Sequence, residues 1–511
     1  MNRSPKSPDF GAKDKTRPVG IHKIRSSCAF LLLLLAACGA PLSLPVASTP
    51  SPTSSPVPPS PTSSPVPTLA PSPTPVPLPA RTHYTLDALV DYDAHTVAVA
   101  EMLLYPNRTG GALAYLVLAV EPNLWPGCFA LQTLTADREL AATDLTGQQL
   151  TVIFAAPLLS EETVELTISY TLDLPRVAWG NNEIIRNLIF GYTAKQMNLL
   201  DWYPFIVPYA AGEGWLLHKP GNYGEHLVYD TADFDVNVRF PDPASAPVAA
   251  APAEGEETAS GWRYRLEEAR TFALSLSPDF EIMRVTSSGI IIQSYYFYDD
   301  AKGGELVLQT AAQAVDVYGK AFAPYPHPVL TIVQGDFIPS MEYDGLVFVG
   351  HTFYHYATCA PRDYLSVLTA HEVAHQWWFA LVGDDQAMEP WLDEALATYS
   401  ERIFYEAVHP EDADWWQEIR LTQREPLSGW VDTSIYDLNR SYPEAVYLRG
   451  AKFLGDLRQC IGDEAFSAFL KDYAGTFSQR RASADDFFRI LHQHTQADIS
   501  DIIGTYFSRH H

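Results

Sequence analysis

HEVAHQWW, residues 371–378, decides how the rest of this 511-residue chain is read. Two histidines four apart on a helix project from one face about one turn apart, the separation that a single metal ion bridges. Glu372 stands between them in sequence, beside such an ion without being needed as a ligand. With 15 His in the chain, an H-E-x-x-H arises by chance in roughly one such chain in fifty, so the motif requires support from elsewhere. Glu394 supplies it. It lies on the next amphipathic stretch, WLDEALATYSERIFYEAV (391–408), and two helices joined by VGDDQAMEP (382–390) bring its carboxylate to the same ion. Two neutral imidazoles and one carboxylate make an open catalytic site, with the fourth position left to water. Zinc suits such a donor set best.

Outward from this pair the spacing stays helical. YLSVLTAHEVAHQWWFALV, AVYLRGAKFLGDL, DEAFSAFLKDYAG and SADDFFRILHQHT carry apolar residues at helical intervals, with Ser483, Asp485 and Asp486 forming an N-terminal cap. Before 361, IIIQSYYFY and VLTIVQG read as strands. Further back the period drops to two. In TVELTISY, Val164, Leu166, Ile168 and Tyr170 share one face, and FDVNVRF repeats this with Phe234, Val236, Val238 and Phe240. The expected fold is α+β: an N-terminal antiparallel β domain over 83–283, then a mixed α/β domain over 284–511 with a mostly helical C-terminal half.

The first residues read as an address. Arg17, Lys23 and Arg25 precede CAFLLLLLAA (28–37), which has the length of a secretory apolar core rather than of a membrane span. Leu35-Ala36-Ala37-Cys38-Gly39 resembles the bacterial lipobox, which implies a signal peptide over 1–37, lipidation of Cys38 and an extracytoplasmic, membrane-anchored protein. An ordinary cleaved signal is the alternative. From 41 to 80, fifteen of forty residues are Pro, so 38–82 reads as a semi-rigid spacer with a reach of about 120 Å. The formal charge of -27 excludes nucleic acid and anionic lipid surfaces as partners, leaving the lipid as the one membrane contact. Cys128, Cys359 and Cys460 in the body form at most one bridge, so disulfides do not staple this fold.

HEVAHQWW, followed by the glutamate of WLDEALATYSE, resembles the signature of the zinc aminopeptidases of the aminopeptidase N type, the gluzincin aminopeptidases. SMEYDGLVF (340–348) resembles that family's exopeptidase motif, and VYLRGA (446–451) its Y-x-K-G-A. The resemblance implies a thermolysin-like catalytic domain holding one zinc on His371, His375 and Glu394. It also implies Glu372 as general base, Tyr447 as donor to the oxyanion, Glu342 as anchor for a substrate's free α-ammonium, and Gln196 assisting at the same amine. The implied substrates are peptides with a free N-terminus. Departures accompany the matches. Pro339 and Ser340 stand where two small residues are usual, and Pro339 has no N–H to give a substrate. Asp344 replaces a common proline and adds negative charge near the ammonium site. The large C-terminal helical domain of many relatives is not expected, which implies a more open cleft.

Two rivals follow from these departures. One is a zinc endopeptidase or narrow-specificity hydrolase whose amine anchor is altered; the other is a non-catalytic surface binding protein of the same fold. Weaker features read as structural: His351, His355 and Cys359 as a strand-end set rather than a second metal site, Tyr442 as packing near Tyr447, and Trp377 and Trp378 as core.

Overall fold

The computed structural model describes residues 81–177, 189–221, 223–358, 360–437 and 442–509. The signal segment, Cys38 and the proline-rich spacer lie outside them, as does Cys359.

The period-2 stretches fold as read. Val164, Leu166, Ile168 and Tyr170 of strand Thr163–Asp173 point into the core, as do Phe234, Val236 and Val238 of strand Ala232–Arg239. Both belong to a seven-stranded sheet that runs from Glu256–Thr258 at one edge to Phe129–Ala136 at the other. The sheet is not wholly antiparallel. Thr82–Asp91 pairs parallel with Ala232–Arg239, which a tight turn cannot achieve; the long intervening chain supplies the crossover and builds further strands on the way. Among these are the strands of a four-stranded sheet, Phe205–Ile206, Leu113–Ala119, Gln149–Leu158 and Leu140–Thr146, and Met197–Leu199, which joins the later Leu274–Ser277 in a second four-stranded sheet.

A five-stranded sheet then joins this β region to the helices, in the order Phe280–Ser287, Ile290–Phe297, Val329–Gly335, Leu346–Gly350, Met341–Tyr343. Its first strand, Phe280–Ser287, spans the boundary expected between 283 and 284. The central strands are parallel, and the 21-residue helix Ala301–Ala321 makes one of the crossovers. Alternation explains the continuous apolar run LVFVG: Leu346 and Phe348 pack into the β-side core, whereas Val347 and Val349 pack into the helical one. A sheet buried on both faces needs apolar residues on both. Met341–Tyr343, pairing only with Leu346–Gly350, is the edge strand.

The helices follow the sequence reading with one truncation. Trp391–Val408, Gly450–Ile461, Asp463–Thr476 and Ala484–His494 form over the expected stretches, the last with a reciprocal capping box between Ser483 and Asp486. The histidine helix, expected to continue to Val382, runs only from Tyr364 to Ala374. Beyond it the chain turns so that Trp377 and Trp378 enter the core and donate to Ala323 O and Ser400 Oγ, and Val382–Gly383 becomes a short strand. The Tyr318 hydroxyl lies 3.0 Å from both Ala370 O and Ser400 O, tying the histidine helix to the Glu394 helix one residue before His371. No helix among the described residues is long and apolar enough to cross a membrane.

Candidate metal centre and amine site

His371, Glu372, His375 and Glu394, three from the end of one helix and its cap and one from the first turn of the next, converge in a buried site. The Nε2 atoms of the two histidines are 3.1 Å apart. Glu394 Oε2 lies 3.3 Å from the first and 3.5 Å from the second. An ion bound tetrahedrally at zinc–nitrogen and zinc–oxygen distances requires ligand atoms about 3.3 Å from one another, so this triangle fits it without rearrangement. The outer nitrogens are engaged in turn. His371 Nδ1 is 2.9 Å from Glu401 Oε1, and His375 Nδ1 is bonded to Asp393 Oδ1. A ring whose Nδ1–H is given to a carboxylate presents a lone pair at Nε2. Two such lone pairs facing each other, beside a buried Glu394 Oε2 with no hydrogen-bond donor, are the geometry of a cation site.

The charge balance points the same way. Five carboxyl groups (Glu342, Glu372, Asp393, Glu394 and Glu401) surround two imidazoles in a buried space. Burial disfavours charge on His371, yet Glu394 and Glu401 outweigh it and push the ring up to about 9. Burial likewise opposes ionisation of Glu394, but the close approach of the His371 and His375 rings brings it down to about 2. Glu372 is pushed up to about 7, chiefly by burial, and its Oε2 has no hydrogen-bond partner among the described residues. A carboxylate left without a donor beside the metal triangle is free to take a proton from water.

The edge strand brings Glu342 in. Its side chain points toward the histidines, and Glu342, Glu372 and His375 place ligand atoms within 4.8 Å of one another. Burial raises the Glu342 carboxyl well above its usual range. Because Met341–Tyr343 is the sheet edge, its outer backbone groups are available to an extended peptide. Tyr447 also borders the site. Its ring stacks 6.1 Å from that of His371, its hydroxyl donates to Glu394 Oε1, and it sits on a π-helical turn, Glu444–Arg449, a widened geometry that recurs at functional sites.

Two residues expected near the substrate amine do other work. Gln196 accepts from Asp336 N at 2.7 Å and donates to Ser275 Oγ at 2.8 Å, so its buried amide is committed to joining the sheets. Asp344 is fully buried away from the amine site, with Oδ1 2.8 Å from His327 Nε2 and Oδ2 accepting from Arg270 N. Pro339 lies before the edge strand, and the backbone of Ile338 and Pro339 crosses Gly350 so closely that a Cβ there would sit 1.9 Å from Ile338 O. His351 bonds Phe337 O through Nδ1, and no group of three possible ligands forms around it and His355 among the described residues. Tyr442 is buried with its ring edge-on to Tyr447 at 6.4 Å.

Sequence reasoning passed over Glu401, Asp393 and Gln386. Glu401 had a signal: it lies seven residues after Glu394, two helical turns on and on the same face. Trp416 Nε1 and Arg420 also donate to it, Arg420 through two nitrogens.

Comparisons with known proteins agree with this geometry. Residues 307–506 match the model of the Peptidase family M1 domain. The chain is 30% identical over 223 residues to Endoplasmic reticulum aminopeptidase 2 of Homo sapiens, covering 40% of this chain and 23% of that protein. It is 25% identical over 238 residues to Aminopeptidase M1-B of Oryza sativa subsp. japonica, covering 43% and 27%. The chain thus spans about a quarter of the length of these relatives. Among solved structures, an M1 zinc metallopeptidase from Deinococcus radiodurans bound to a Tyr-Ser-Ala substrate superposes with a TM-score of 0.61 at 19% identity, over 84% of this chain and 95% of that one. From residue 307 to residue 506 the chain is thus similar to the Peptidase family M1 domain, and its fold is that of the M1 zinc metallopeptidases.

Proposed function

We propose that this protein is a zinc-dependent aminopeptidase that removes N-terminal residues from peptides. The observation that carries the reading is the triangle of His371 Nε2, His375 Nε2 and Glu394 Oε2, with Glu372 and Glu342 gathered beside His375 and Tyr447 stacked on His371. A zinc ion held there supplies Lewis-acid activation of the scissile carbonyl and of water. Glu342 binds the α-ammonium, which fixes the first residue and places the first peptide bond over the triangle. Glu372 accepts the proton of the attacking water and returns it to the departing amine. Tyr447 turns its hydroxyl from Glu394 to the oxygen on which negative charge develops.

The test uses the body from about residue 81 and a panel of aminoacyl amide reporters. Hydrolysis is expected to stop with a chelator and return with zinc. Glu372→Gln should abolish turnover while keeping the metal, and Glu342→Ala should weaken it mainly through KM. Cleavage of N-acetylated peptides at rates like those of free ones would instead mark an endopeptidase. We place the protein outside the cytoplasm, held by a lipid on Cys38 and lifted clear of the membrane by the proline-rich spacer. Cys38→Ser should then move the full chain from the membrane fraction to the soluble one.

A further inference from the structure

We infer that Gln386 is a positioning residue that couples the amine anchor to the metal-holding His375, an inference that rests on the aminopeptidase reading above. Gln386 lies in the loop between the two metal-binding helices and is 4% exposed. Its Nε2 donates to Asp393 Oδ2 at 2.7 Å and reaches Glu342 Oε1 at 3.4 Å. The other oxygen of Asp393 holds His375 Nδ1. One planar amide therefore stands between the group that takes the substrate's ammonium and the group that orients a metal-binding ring.

The chemistry of the position favours an amide over the alternatives. A primary amide nitrogen carries two hydrogens and serves two carboxylates at once. A lysine or arginine there would form a standing ion pair with Glu342 and compete with the substrate ammonium. A carboxylate would repel both neighbours, and an apolar side chain would leave Glu342 and Asp393 without this donor in a buried space. A neutral donor holds the Glu342 carboxylate in place and leaves its charge available to the substrate. The unequal lengths assign unequal duties: the short bond fixes Asp393, and through it His375, while the long one yields when an ammonium arrives.

Loss of the amide should move two properties together: discrimination in favour of a free amine, and retention of the metal. The probes are the hydroxamates of leucine and of isocaproic acid, which differ only in the α-amine and bind zinc without turnover. Calorimetry on the zinc-loaded protein gives the ratio of their Kd values, and transfer of zinc to a chromogenic chelator gives its release rate. In Gln386→Met the amine's advantage is expected to shrink about tenfold and zinc release to quicken about tenfold. In a Glu342→Gln background the same change should no longer alter the Kd ratio, which a purely structural role would not predict. Should the methionine variant fold poorly, Gln386→Asn, which keeps the amide but falls short of both carboxylates, tests the same coupling. A folded variant that alters neither property, or only one of them, overturns the proposal. A wild-type protein that binds the two hydroxamates equally would sink the aminopeptidase reading first, and the coupling with it.

Discussion

Glu401 shows how far a metal site extends beyond its ligands. Its carboxylate takes His371 Nδ1 at 2.9 Å and the Arg420 guanidinium at 2.7 and 2.8 Å, and it is wholly buried. Two donors of opposite side chains on one acid fix both its rotamer and its charge, so the ring it holds cannot swing away from the ion. Glu401→Gln keeps the shape but removes the charge, and is expected to weaken zinc binding 10–100-fold, by roughly the cost usual for losing such a partner. Chelator competition measures it; unchanged zinc affinity would reduce Glu401 to a packing element. The ligands and Glu372 were legible because their spacing is local, two on one helix and one at the start of the next. Asp393 and Gln386 were not, since what they do depends on which side chains the tertiary fold lays against them. Asp344 misled for the same reason: two residues from Glu342 in sequence, it lies in the turn after the strand and is engaged by His327 and Arg270 N.

At the level of elements, the legible parts were those with a clean period, and the longest one passed over was the helix Ala301–Ala321. Gly303 and Gly304 stand in its first turn, where a Cβ at either would meet Tyr354 or Tyr296 at under 3 Å, so they are what lets the helix lie close on its neighbours. Element ends also carry a pH signal. Glu389, in the loop before the Glu394 helix, accepts from Ala484 N at 3.1 Å at the start of the helix Ala484–His494. Burial, with Asp385 and Asp485 nearby, raises its carboxyl to about 7 although the Ala484 bond opposes this. A carboxyl whose folded value exceeds its unfolded one keeps its proton in the native state over the interval between them, so stability falls as pH rises through that window. The contribution is on the order of 1–3 kcal/mol, lost between about pH 4.5 and pH 7. Glu389→Gln keeps the acceptor for Ala484 and should remove this slope. Denaturant unfolding of both proteins across the window reads it, and a variant that tracks wild type at every pH would show that Glu389 does not contribute.

Over the whole molecule, the β region and the helical half meet across one five-stranded sheet, and Arg270 locks that junction. It follows the strand Gly261–Ala269 of the large sheet, and its guanidinium, wholly enclosed, donates to Tyr229 O, Ala380 O, Leu381 O and Arg480 O. Those carbonyls belong to the β region, to the turn after the histidine helix and to a late strand of the helical half. Gly383 makes room, since a Cβ there would lie 2.5 Å from the Arg270 Cζ. Burial lowers the guanidinium to about 10, while Asp344 and Asp230 oppose that fall and keep it charged at neutral pH. A buried cation serving four carbonyls beside Asp344 cannot be removed quietly. Arg270→Met fills much of the volume but leaves those oxygens without donors and the acid without its counter-charge, at an expected cost of about 3–5 kcal/mol. Because Ala380 and Leu381 follow His375 by five and six residues, the loss should reach the metal: the variant is expected to release zinc at a denaturant concentration below that of its global unfolding. Parallel titrations by zinc release and by tryptophan fluorescence distinguish the outcomes. Two transitions in the variant against one in wild type would show that the junction holds the site together, and coincident transitions shifted equally would show that Arg270 stabilises the molecule without that local hold.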